Sequence, residues 1–413
     1  MEKHYDLIVF GATSFVGQIL CRYLDRQFNH PGQEALEWAI AGRSQHKLDT
    51  VKQGLNTPDI DTILADSHDE KALTTMCQYT RVVVSTVGPY ALYGETLIKV
   101  CAETGTDYCD LTGEVQWIHR MLYKYEHLAT KSGARIVNCC GFDSIPSDMG
   151  VYFTQKEAKR LFGQYCDSIK MRVKTLKGGA SGGTIASIIN ITEEVVKDPA
   201  LLKKIANPYL ICPESGELST RQATNAIAAR DPDFNAWISP FIMAAINSRI
   251  VLRSNALDDY PYGRDFCYDE AVLTGKGFSG AVKSNAFIVG LSLFMALTAL
   301  PPTRWLLKKF VLPKPGEGPS AKEQLEGFFD IRFIGKTASG DVISTKVVGQ
   351  GDPGYGSTGK MLGQAAASLA LDFHHSGEKC GAKGGFWTTS SLMGDRLLDR
   401  LQTHADIEVS VLN

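Results

Sequence analysis

Leu7-Ile-Val-Phe10 runs directly into Gly11-Ala-Thr-Ser-Phe-Val-Gly17, and an apolar-periodic stretch follows to about Leu24. A β-type run, a glycine-framed turn and an amphipathic helix, in that order, form the first βα unit of a dinucleotide-binding parallel sheet. Gly11 permits the tight turn, and Gly17 lets helix and strand approach. The helix N-terminus offers unpaired N–H groups and a positive dipole end to a pyrophosphate. Thr13, Ser14, Phe15 and Val16, between the two glycines, are expected to line the cofactor. Ser14 stands at the middle glycine of a G-x-x-G-x-x-G pattern, and its hydroxyl is expected to donate to phosphate.

Working outward, the first 110 residues alternate strand and helix patterns. Trp38-Ala-Ile-Ala41, Thr62-Ile-Leu-Ala65 and Arg81-Val-Val-Val-Ser-Thr86 read as strands, and Tyr108-Cys-Asp-Leu111 and Arg135-Ile-Val-Asn138 add two more. This is the βαβ rhythm of an α/β, Rossmann-type, doubly wound parallel sheet. After Gly150 the rhythm shifts to longer strands and helices: Ser168 to Leu176, then a hairpin of Phe328–Ile334 and Val342–Val348. The expected organisation is an NADP-binding domain over 1–150, an inserted α+β substrate or oligomerisation domain over 151–357, and a C-terminal segment, 358–413, that returns to the first domain. Leu312 to Ser320, rich in Pro and Gly, reads as a linker.

Cofactor choice is read at the end of the second strand, where an NAD enzyme places a carboxylate for the ribose 2′-OH. Here the strand ends Ala41-Gly42-Arg43-Ser44, with Lys47 one turn on. A guanidinium with those neighbours suits a 2′-phosphate, so NADPH is expected. Asp66, ending the third strand, is placed toward the adenine. Val87, Gly88 and Pro89 end the fourth, where a small residue lets the nicotinamide ribose come close.

Composition removes several function classes. The 413 residues carry 43 basic and 45 acidic side chains, a net charge of −2, without a basic tract, so no nucleic-acid partner is expected. No apolar run opens the chain, so a cytoplasmic protein with its ten cysteines reduced is expected. No Cys/His spacing suits a metal, and His374-His375 reads as a helix end.

Taken together, Gly11 to Gly17, Ala41-Gly-Arg43, Val87-Gly-Pro-Tyr90 with Leu92-Tyr-Gly94, Tyr108 to Glu114, and Gly141-Phe-Asp-Ser-Ile-Pro-Ser-Asp148 resemble the saccharopine dehydrogenase-like oxidoreductases. The similarity is greatest to the branch containing trans-acting enoyl reductases. It extends through Ser181-Gly-Gly-Thr184 to Gly385-Phe-Trp-Thr388. The resemblance implies a Rossmann domain with an inserted substrate domain, NADP(H), and lipid or polyketide acyl substrates, some of them carrier-bound.

Hydride transfer to a polarised alkene or carbonyl needs a proton donor or oxyanion partner. Tyr90, Asp143 and Ser144 are the catalytic candidates, with Asp110, Thr112, Glu114 and Asp148 also at strand carboxyl ends. Each could equally be a cap or turn residue. Tyr93 is expected on the substrate. Ser181, Gly182, Gly183 and Thr184 form a glycine-rich entry to a helix, with Thr184 expected to cap it, and read either as an anion site or as a plain turn. Tyr152 and Lys156 match a YxxxK spacing that chance alone supplies.

Ser284 to Thr303 is a run of 20 residues without a charged side chain, closed by Pro301-Pro302 and followed by Arg304-Trp-Leu-Leu-Lys-Lys-Phe-Val-Leu312. Spanning a membrane is disfavoured because the prolines leave about 15 helical residues where about 20 are needed. A buried helix or apolar pocket wall is the favoured reading. Peripheral contact of 284–312 with a membrane or lipid surface stays open. The leading expectation is an NADPH-dependent oxidoreductase of an apolar acyl, lipid or polyketide-like substrate, with a trans-acting enoyl reductase as the specific candidate. An amino-acid imine reductase and a non-catalytic NADP-binding scaffold at a lipid surface are the alternatives, and homo-oligomers are compatible with each.

Overall fold

The computed structural model describes residues 3–57, 59–178, 182–214, 216–310, 318–374 and 383–412, without the side chains of 184, 308, 310 and 321. The strands are β1 (Tyr5–Phe10), β2 (Trp38–Gly42), β3 (Asp61–Leu64), β4 (Thr80–Ser85), β5 (Asp107–Asp110), β6 (Arg135–Val137) and β7 (Cys166–Lys177). They continue as β8 (Ala229–Asp231), β9 (Ala236–Ser239), β10 (Cys267–Gly275), β11 (Phe328–Thr337), β12 (Val342–Gln350), β13 (Gly385–Trp387) and β14 (Ile407–Val411).

One sheet has the order β13-β6-β5-β4-β1-β2-β3, every pair parallel. Its central strands are apolar on both faces: Leu7, Ile8, Val9, Ile40, Val82, Val83 and Val84 are wholly buried. That is the pattern a parallel sheet needs when helices cover both sides. The order reverses between β1 and β4, and at such a switch point the loops leave a crevice at the carboxyl ends. The helices Glu70–Gln78, Glu95–Thr104 and Val115–Ser132 pack in succession, while Phe15–Gln27 packs against Thr358–Ala367. The latter pair comes close because Gly359 and Gly363 lie one turn apart. A Cβ on either would press on Ile19 or Tyr23 at 2.8 and 2.7 Å. Arg400, on Thr389–His404, clamps this return with paired bonds to Asp372 and Glu34.

The chain divides into two compact units. The first holds the residues up to Phe142 and Gly354–Asp406; the second starts at Asp143, takes in Pro319–Pro353 and ends with β14. The division precedes residue 150 because the helix Ile145–Phe162 packs on β11, β12 and β14. The second sheet, β14-β12-β11-β7-β10-β9-β8, is antiparallel except for β7 with β10. Along β12, Ile343, Thr345, Val347 and Gly349 are buried while Ser344, Lys346 and Val348 are half-exposed. This alternation marks a sheet with one packed face.

The apolar tract departs from its favoured reading. Helix Gly277–Ala299 begins well before Ala286, and 11% of its most apolar stretch is buried. Pro301 and Pro302 open a new helix, Pro301–Phe310, since proline fits the first helical turn. By length and composition alone, Gly277–Ala299 is the one helix among the described residues that could cross a membrane. The tract is therefore no core helix.

Gly150 has a packing role that a substitution can measure: a Cβ there would drive into the Phe333 ring from β11. Gly150→Ala is expected to lower stability by about 1–3 kcal/mol through overpacking, read as a fall in the urea midpoint.

Candidate cofactor and active site

The turn after β1 is built by backbone constraint. Gly11 has φ +87°, and a Cβ on it would sit 2.6 Å from Val87 Cγ2 and 2.8 Å from Thr86 Oγ1. A Cβ on Gly17 would collide with the Gly11 carbonyl oxygen. Ser14 is the N-cap of the Phe15–Gln27 helix; its Oγ accepts from Gly17 N at 2.9 Å and lies 2.9 Å from Thr86 Oγ1. Thr86 in turn donates to the Gly11 carbonyl at 2.9 Å. The Ser14 and Thr86 hydroxyls share one bond, so the Ser14 side chain is engaged in closing the loop on itself. Main-chain donors stand open beside it: the N–H groups of Thr13, Phe15 and Val16 have no acceptor among the described residues. These residues and the glycine cradle fit a dinucleotide pyrophosphate.

At the end of β2, Arg43 is exposed and pairs with no carboxylate among the described residues. Ser44 is the N-cap of Gln45–Gln53, but its hydroxyl makes no capping bond; Lys47 is exposed on the same helix. Asp66 accepts from His68 N at 2.9 Å, which makes it a turn former past β3. Val87, Gly88 and Pro89 lie partly exposed just beyond β4.

Tyr90 differs from its sequence role. Its ring is buried, and its hydroxyl donates to Ser85 O at 2.9 Å while accepting from Leu111 N at 3.1 Å. Burial, followed by the nearby Asp110 charge, pushes its phenol well above the ordinary range. A hydroxyl tied on both sides and so weakly acidic is a brace between the ends of β4 and β5, not a proton donor. Tyr93 is exposed, with its ring 5.7 Å from that of His68. Glu114, fully buried, accepts from Tyr90 N at 2.8 Å and Ala91 N at 3.0 Å, so it caps the short Tyr90–Tyr93 turn. Asp110 accepts from Thr112 N, Cys139 N, Tyr108 Oη and Asn138 Nδ2 at 2.8 to 3.1 Å, and burial still pushes it up to about 6.

In the second unit, Ser144 donates to Asn247 Oδ1 at 3.1 Å, and Asn247 Nδ2 donates to Glu270 Oε2 at 3.0 Å. Tyr268 donates to Glu270 Oε1 at 2.7 Å. Asp148 accepts from Ser254 at 2.6 Å. Asp143 is part-buried, makes no hydrogen bond among the described residues, and is pushed up to about 6 by desolvation. Gly182 and Gly183 open the helix Gly182–Lys197, so Thr184 lies inside its first turn and not at the cap. Ser181, His375 and the linker from 312 to 317 lie outside the described residues, as does the side chain of Thr184. His374 Nε2 sits 2.9 Å from Asp107 Oδ2 beside Arg135. Tyr152 and Lys156 are on the Ile145–Phe162 helix. The nine described cysteines are free, eight of them buried.

Residues 7–137 match the model of the saccharopine dehydrogenase NADP-binding domain. A Mycobacterium tuberculosis protein, provisionally named a trans-acting enoyl reductase, is 36% identical over 413 residues, covering 97% of this chain and 96% of its own. The chain belongs to the saccharopine dehydrogenase-like oxidoreductases. Its NADP-binding domain takes NADP(H). A Mycobacterium bovis family member named a trans-acting enoyl reductase is 34% identical over 414 residues, with the same coverages of 97% and 96%. The apo, histidine-tagged saccharopine dehydrogenase (L-Glu forming) from Saccharomyces cerevisiae shares the fold, with a TM-score of 0.53 at 13% identity over 98% of this chain and 99% of that one. Thr86 is the site residue that sequence reasoning gave no bonding role; Glu114, named there as an acid or a cap, is a cap. Their positions at strand ends carried a signal, but their partners are distant in sequence.

Burial, opposed by bonds from Tyr268, Ser147 and Asn247, pushes Glu270 up to about 7. The folded state therefore holds a proton that the unfolded chain, with an ordinary Glu near 4.3, has released. Stability falls as pH rises through that window. The thermal midpoint is expected to decline from about pH 5 to about pH 8, with a shallower decline in Glu270→Gln. Equal slopes would place the charge elsewhere.

Proposed function

We propose that this oxidoreductase uses NADPH to reduce the carbon–carbon double bond of an apolar enoyl thioester, presented free or on a carrier. The observation that carries the reading is the 34% identity, spread over 97% of the chain, to a protein named a trans-acting enoyl reductase. Both units are thus similar to that relative, beyond the shared NADP-binding domain. NADPH supplies the hydride when bound. The Gly11–Gly17 turn holds the pyrophosphate, and Arg43 with Ser44 and Lys47 reads the 2′-phosphate by charge-assisted bonds. Val87, Gly88 and Pro89 leave room for the nicotinamide ribose.

The reduction also needs one proton, delivered next to the carbon that accepts hydride. Of the three candidates, Tyr90 and Ser144 have committed hydroxyls. Asp143 alone makes no hydrogen bond among the described residues, and burial pushes its carboxyl up to about 6, so an appreciable fraction is protonated just below neutrality. Asp143 is therefore assigned as the donor.

An amino-acid imine substrate would call for guanidinium groups open to its carboxylates. Arg172 is held by Asp231 and Asp269, while Arg249 and Arg253 donate to backbone carbonyls of Ala245, Ile205 and Ile211. That engagement favours the acyl substrate.

Two measurements test these roles. Fluorescence titration of Arg43→Ala is expected to weaken NADPH by roughly 10- to 100-fold, the loss of a charged hydrogen bond, and to leave NADH nearly unchanged. A wild type that binds both equally would remove the 2′-phosphate role. NADPH oxidation with an enoyl thioester should slow as pH rises through about 6. Asp143→Asn should flatten that limb and lower kcat by about 10²- to 10⁴-fold with NADPH affinity kept. Tyr90→Phe should retain most turnover. Wild-type NADPH binding without turnover on any enoyl, carbonyl or imine substrate would support the scaffold instead.

A further inference from the structure

Helix Gly277–Ala299 is apolar on its outside. Gly280, Ser284 and Thr298 are its buried positions, with Ser284 donating to Ile238 O at 2.6 Å on β9. The water-facing side carries Phe278, 85% exposed, Val282, Phe287, Val289 at 67% and Leu293 at 58%. A helix resting on a sheet in water shows the reverse arrangement. The next helix, Pro301–Phe310, adds Trp305, 56% exposed, with Lys309 Nζ 4.6 Å from its ring centroid.

Charge selects what covers this face. From residue 271 to residue 316, 46 residues contain no Asp or Glu and six bases: Lys276, Lys283, Arg304, Lys308, Lys309 and Lys314. Arg304 is partly answered by Glu193 at 3.4 Å. A face that is both apolar and of one sign suits an anionic, apolar-cored partner, and opposes a second copy of itself.

We propose that the arm formed by Gly277–Ala299 and Pro301–Phe310 docks the protein on the surface of a bilayer containing anionic phospholipid. The outer apolar side chains enter the headgroup and upper acyl region, Trp305 sits at the interface, and Lys276, Lys283 and Lys309 meet lipid phosphates. The arm lies on the bilayer and does not cross it. β10, which precedes it, and β11, which follows it, both flank β7 in one sheet. A crossing helix would have to be matched by a return. The ten-residue Pro301–Phe310 helix spans about 15 Å, half of a ~30 Å hydrocarbon core.

The test is flotation of the full chain with vesicles of phosphatidylcholine alone and of phosphatidylcholine mixed with phosphatidylglycerol. This inference does not depend on which substrate is reduced, and the assay needs no turnover. The wild type is expected to float with the mixed vesicles, and salt should weaken the binding. Phe287→Asp/Val289→Asp should abolish flotation while NADPH titration shows the variant folded. Lys283→Gln and Lys309→Gln should each weaken it by about fivefold. Equal binding to neutral vesicles would overturn the anionic assignment. No flotation of the wild type, or a solution dimer that Phe287→Asp/Val289→Asp dissolves in its place, would overturn the proposal.

Discussion

A closed circuit of hydrogen bonds holds the cofactor crest together: Gly17 N–H to Ser14, Ser14 to Thr86, and Thr86 to the Gly11 carbonyl. It joins the turn after β1, the first helix and the end of β4, the three elements that meet where strand order reverses. Each bond contributes about 0.5–1.5 kcal/mol net, but the geometric effect is larger than the sum suggests. With the Ser14 and Thr86 hydroxyls turned inward, main-chain N–H groups at a helix start stand open at the crest. The loop is thus shaped for a pyrophosphate before one arrives, and less ordering remains to be done on binding.

The same economy governs the neighbouring loops. Glu114 spends both carboxylate oxygens on the N–H groups of Tyr90 and Ala91, and Tyr90 spends its hydroxyl on Ser85 and Leu111. Asp110 then ties the end of β5 to Cys139 and Asn138 beyond β6. Three strand ends are braced by side chains that, from residue type alone, look like acids and proton donors. Rigid loops at a sheet's carboxyl edge keep a reacting group in place, which matters more to a hydride transfer than an additional acid.

How far the sequence could be read follows from what each feature depends on. The parallel sheet was legible because burial on both faces leaves continuous apolar runs such as Arg81 to Thr86, and because Gly11 and Gly17 are required by local backbone geometry. The Ser14 role was not, since the choice between donating to phosphate and closing on Thr86 depends on a residue 72 positions away. Tyr90 was misread for the same reason. The boundary near 142 was hidden because the helical pattern of Ile145–Phe162 runs through Gly150 without a break, and its packing on β11, β12 and β14 assigns it to the second unit. The apolar tract was misjudged because periodicity reports which residues are apolar, not which way a nearly all-apolar helix turns.

That last case also shows what kind of constraint acts on the arm. Side chains such as Phe278 and Val289 are exposed in the folded chain and equally so in the unfolded one, so they neither add to nor subtract much from folding stability. Their cost is intermolecular: a large exposed apolar patch promotes association. The bases among them oppose association between copies, because like charges would face each other as the apolar surfaces closed. Against an anionic bilayer the same bases reverse sign in effect, and both terms become favourable together. For an enzyme whose proposed substrate is an apolar acyl chain, a surface that holds such chains raises their local concentration without any new contact at the cofactor crest. The apolar arm and the cofactor turn can then be served by different parts of the sequence, one under a charge-sign constraint and the other under a backbone constraint.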